Sequence, residues 1–104
     1  MTDPRWALLQ DTTPTLLQAF GESGVTRIDF VSAFPSRDDV WVWLGTSTDA
    51  ERDALTGTGP HVLSTVRLVA RGHGFEAAKV SGVTVQSEET VARDFGGSWF
   101  HALR

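Results

Sequence analysis

Three histidines, His61, His73 and His101, carry the side-chain type suited to metal ligation or proton transfer near neutral pH. No two of them share a ligand spacing such as H-E-x-x-H. His61 follows Pro60 at the opening of an expected helix. His73 lies between Gly72 and Gly74 at the end of one, where the helix dipole favours a cation. Position on a helix explains both better than catalysis does. Two acidic pairs, Asp38-Asp39 and Glu88-Glu89, have the chemistry for acid–base work or for holding a divalent cation. The first fits turn chemistry, since Asp side chains accept from nearby backbone N–H groups. The second fits the first turn of a helix after Ser87, where negative charge is favoured.

The search for a nucleophile or a phosphate cradle is equally sparse. The chain has no G-x-S-x-G elbow. Gly57-Thr58-Gly59-Pro60-His61 lacks the lysine and spacing of a phosphate loop, and Pro60 removes a backbone donor that a cradle would use. Gly72-His73-Gly74 lacks the third glycine and the preceding strand of a dinucleotide fingerprint. With no cysteine in the sequence, thiolate catalysis, zinc–thiolate sites and iron–sulfur clusters have no ligand here. The expectation is that no cofactor, no metal and no catalytic residue is used.

The aromatic residues give the stronger signal. Four tryptophans stand in 104 residues. Trp41 and Trp43 are two apart in Val40-Trp41-Val42-Trp43-Leu44, so on a strand they share one face while Val40, Val42 and Leu44 share the other. If Phe34 pairs with Val40, the aliphatic face also gathers Ile28 and Phe30 and forms core. The tryptophan face then gathers Arg27, Asp29, Val31 and Ala33, with Arg37, Asp38 and Asp39 of the intervening turn at its rim. Trp99 and His101, on an expected last strand, complete the candidate binding surface. Interface centres favour aromatic residues and arginine inside a polar rim. Helices covering both faces would instead make the tryptophans ordinary core.

These residues need a scaffold, and the punctuation of the chain supplies one. Residues 4–21 read as a helix broken at Pro14, which cannot donate inside a helix, with Thr13 capping the restart. Residues 26–34 and 40–45 are rich in β-branched and aromatic residues around a polar turn at 35–39, predicting a β-hairpin. Thr48-Asp49-Ala50-Glu51 has capping-box form and opens a short helix. Residues 60–71 are expected to form the longest uninterrupted helix, with Val62, Val66, Val69 and Ala70 on one face. Residues 83–85 predict a third strand, 87–95 a helix, and 99–103 a fourth strand. The order implies an α+β class: a small sheet of about four strands, at least partly antiparallel, packed against helices in one domain over residues 1–104.

Composition narrows the function. The apolar fraction is 40% and the charged fraction 21%, as expected of a folded domain. The net charge of −4 and scattered basic residues disfavour nucleic acid and anionic membranes, whose binding draws on clustered Lys and Arg. No stretch approaches the roughly 18 apolar residues of a membrane span. The opening residues lack the apolar core of a signal peptide, so a cytoplasmic protein is expected. One lysine against eight arginines, with no asparagine or tyrosine, resembles GC-rich bacterial coding. The favoured expectation is a non-enzymatic domain binding a protein partner, of inhibitor or immunity type. The competing ones are a small hydrolase or ligand-binding enzyme using His73 or His101 with Asp or Glu, and a structural homodimer joined by its tryptophan face.

Overall fold

The computed structural model describes residues 3–103. Among them, five helices surround one three-stranded sheet. Helix α1 (Pro4–Phe20) leads through a short 3-10 turn at Gly21–Ser23 into strands β1 (Val25–Val31) and β2 (Val40–Thr46). Helices α2 (Asp49–Thr56) and α3 (Gly59–Gly72) then cross to β3 (Val80–Ser87), which is followed by α4 (Glu88–Asp94) and α5 (Trp99–Ala102). The strand order is β1-β2-β3, with β1 antiparallel and β3 parallel to β2. A parallel neighbour requires a long crossover, which α2 and α3 supply. The class is therefore α+β with a mixed sheet packed against helices.

The core lies on the face of β2 that carries Val40, Val42 and Leu44. Leu9, Leu16 and Phe20 of α1 and Val62, Val66 and Ala70 of α3 close over it, joined by Val25, Leu55, Phe75 and Val80. Burying a residue of this kind contributes roughly 1.5–3 kcal/mol. That accounts for the first departure from the sequence expectation, because α1 runs unbroken through Pro14. The proline costs a helix interior about 3 kcal/mol. Leu9 and Thr12 before it and Leu16 and Phe20 after it are all buried on the same side. Packing outweighs the lost hydrogen bond. The cap is Asp3, whose Oδ1 accepts from the Arg5 N–H at 2.9 Å. Thr13 sits inside the helix with its hydroxyl 3.4 Å from the Leu9 carbonyl. At 17 residues α1 is also longer than α3, which has 14.

The hairpin pairs antiparallel as expected, with other bounds. β1 ends at Val31 and the connection is residues 32–39 rather than 35–39. Phe34 does not pair with Val40. It turns into the core, edge-on to Trp6 with ring centroids 5.0 Å apart, while Ser32 Oγ closes the loop on the Asp39 carbonyl at 2.6 Å. The observed register, Val31↔Trp41 and Asp29↔Trp43, is shifted by two residues from the expected one. A shift of two preserves every side chain's face, so the two-face assignment survives.

The fourth strand is absent. Residues 99–102 form α5, with Ser98 as N-cap. Trp99 and Ala102, three apart, are the buried residues of this turn and meet Val91 of α4 in a small second core with Leu103. That spacing is helical, whereas aromatic content alone suggests a strand. β3 extends further than residues 83–85 at both ends because it pairs with the whole of β2.

Candidate functional site

The tryptophan face of the sheet is built from the register. Val31, Trp41 and Gly82 form one row across the three strands. Asp29, Trp43 and Thr84 form the next, and Arg27, Gly45 and Gln86 the third. The third row is covered. Trp99 of α5 lies over Gly45, where an added Cβ would stand 3.0 Å from its ring, and the Arg27 guanidinium lies 4.8 Å from the centre of a Trp99 ring. Trp99 Nε1 donates to Glu88 at 3.2 Å. The first row is open: Trp41 and Val31 are each 41% exposed. Trp43, in the row between the open and the covered ones, is half-buried.

Trp41 is fixed despite its exposure. Its indole lies against Gly82, where any Cβ would overlap the ring, and its Nε1 donates to Thr84 Oγ1 at 2.8 Å. A cleft of about 350 Å³ opens beside it, lined by Val31, Ser32, Ala33, Arg37, Asp39, Trp41 and Ser81. Asp39 is the polar anchor of its wall. It accepts from Arg37 Nε and Nη2 at 2.8 and 3.0 Å and from Ser81 Oγ at 2.6 Å. These donors, Arg37 first, hold its carboxyl well below the usual carboxylate range, so it stays ionised. The result is a rigid aromatic platform beside a preorganised arginine–carboxylate pair.

The structure thus brings together Arg37, Asp39 and Trp41 and separates the other expected site residues. Asp38 points away to pair with Lys79 Nζ at 2.7 Å, in a second cleft lined by Arg5, Leu8, Phe75 and Glu76. Trp99 belongs to the covered end of the face, and His101 is exposed on α5 with its ring beside that of Phe100. Sequence reasoning missed Ser81, Gly82 and Thr84. No motif marks them, and their place follows only from the parallel pairing of β3.

The histidines stay apart. His73 Nε2 and Thr15 Oγ1 are 2.9 Å apart, joining α3 to α1, and His61 is exposed. Among the described residues, no three His, Asp or Glu side chains are grouped to hold a metal ion. The densest polar cluster joins α2 to α4. The Asp49 carboxylate accepts from Ser87 Oγ, from Thr90 Oγ1 at 2.7 Å and from Arg93 Nη1 at 3.1 Å. Glu89 accepts from the Asp49 N–H at 2.7 Å. Both glutamates of the Glu88-Glu89 pair thus have a specific partner beyond the helix dipole. Ser87 is fully buried and its hydroxyl also caps α4 through the Thr90 N–H, so it serves as a joint between helices. Among the described residues, no helix is long and apolar enough to cross a membrane. Comparison of the chain with known protein families, characterised proteins and solved structures finds no match.

Proposed function

We propose that this protein is a non-enzymatic interaction domain that binds a protein partner through the open end of its tryptophan face, with Trp41 as the anchor. The observation that supports this reading is the exposure of a fixed indole beside Val31, next to the Arg37–Asp39 pair. Ordering a mobile aromatic side chain on binding costs conformational entropy, and here Gly82 and Thr84 already hold it. A rigid aromatic surrounded by a paired arginine and carboxylate has the character of an interface hot spot. The net charge of −4 favours a basic partner, whose approach an acidic surface accelerates. An inhibitor or immunity-type protein neutralising such a partner is the specific form this reading takes.

The test compares Trp41→Ala with Trp43→Ala. A partner captured by the parent should be retained at least about 30-fold more weakly by Trp41→Ala, the equivalent of about 2 kcal/mol at a hot spot. Unfolding of Trp41→Ala should change little, and Trp43→Ala should lose more stability because its indole is deeper. Equal partner retention by Trp41→Ala and the parent would refute the reading.

A further inference from the structure

The sheet has two edges, and they differ. At β3, Arg67 of α3 donates through Nε and Nη2 to the Val80 carbonyl at 3.1 and 2.9 Å, and α2 and α4 pack along the strand. At β1, among the described residues, no hydrogen bond reaches the backbone other than those of the ladder with β2. An edge strand with free N–H and C=O groups is a template for another strand.

The side chains of β1 say which strand fits. Arg27 and Asp29 stand on one face with Ile28 between them, and Arg27 Nε lies 2.6 Å from Asp29 Oδ2. Ile28 is also the midpoint of Val25–Val31. We infer that β1 pairs antiparallel with β1 of a second copy of this chain about a two-fold axis at Ile28. That register centres on the regular stretch 27–29, next to the irregularity between Val25 and Arg27, and is self-complementary in charge. Arg27 faces Asp29 of the second copy, and Asp29 faces its Arg27. Opposite charges facing across an antiparallel pair stabilise it, and like charges destabilise it by comparable amounts. An isologous contact needs only this one strand. Ile28, partly buried against the core, would meet its counterpart at the axis and continue that core through it, while Phe30 would face Thr26 of the second copy. The inference is independent of the Trp41 surface, and the two fail separately.

Charge exchange tests it without knowledge of any ligand. The parent should be a dimer by light scattering across a concentration series. Asp29→Arg and Arg27→Asp, each checked for folding by circular dichroism, should self-associate about tenfold or more weakly, since each homodimer opposes two like-charged pairs. Mixed together, the two variants should form a heterodimer, because every facing pair is then of opposite sign. Should a charge variant fail to fold, cysteine cross-linking decides the same question in a chain that has no other cysteine. Ile28→Cys should oxidise to a disulfide-linked dimer, its facing Cα atoms being roughly 4.5–5.5 Å apart. Thr26→Cys should not, since its copies would lie about 14 Å apart. A parent that is monomeric throughout, a mixture with no heterodimer, or an Ile28→Cys that cross-links no faster than Thr26→Cys overturns the inference.

Discussion

Asp49 shows how much one carboxylate contributes to the joint between α2 and α4. The hydroxyls of Ser87 and Thr90, then Arg93, lower its pKa from the usual 3.8 to about 2. A carboxylate whose folded pKa is depressed adds stability that is complete above the unfolded value and is lost as the pH falls through the folded one. The parent should therefore lose stability from about pH 4 downward, with Asp49 among the contributors. Asp49→Asn should be less stable at neutral pH, and the gap between the two proteins should close as the pH approaches 2. Urea unfolding midpoints from about pH 7 down to about pH 2 measure this. A gap that stays constant would mean that the charge of Asp49 contributes nothing to the joint.

At the scale of elements, the caps at Thr48 and Ser87 and the faces of the strands were legible in the sequence, while the cap expected at Thr13, the element lengths and the partners were not. The capping box at Thr48 and Glu51 is formed as the S/T-x-x-E pattern required, with reciprocal bonds at 2.9 and 3.2 Å. Thr48→Ala should cost about 1 kcal/mol. Thr13→Ala should be close to neutral, because Thr13 occupies a helix interior and caps nothing. Thermal or urea melts of the two variants decide it. The alternation around Trp41 and Trp43 placed both indoles on one face, since strand periodicity is local. Local rules could not foresee that Leu9, Leu16 and Phe20 would hold α1 continuous through Pro14, or that Trp99 would dock over Gly45 as part of a helical turn. Those outcomes belong to packing between distant segments. The cleft was half legible for the same reason. Arg37, Asp39 and Trp41 lie close in sequence, whereas Ser81, Gly82 and Thr84 arrive from the far side of a crossover.

Across the whole molecule, the two halves of the sheet differ in how far apart their partners lie along the chain. β1 and β2 are joined by residues 32–39, but β2 reaches β3 only after residues 47–79 have been gathered into α2 and α3. Closing the longer loop costs more entropy, and non-local pairing is slow. Trp41 straddles this divide. It stands on the strand of the short hairpin, while its ring and N–H meet Gly82 and Thr84 of the strand beyond the long crossover. The indole is therefore expected to report the pairing of β2 with β3, which its sequence separation makes the slower step. In a variant keeping Trp41 as its sole tryptophan, stopped-flow emission should change after the far-ultraviolet signal of the helices has largely developed. Coincident traces would place the crossover and the hairpin in one concerted step.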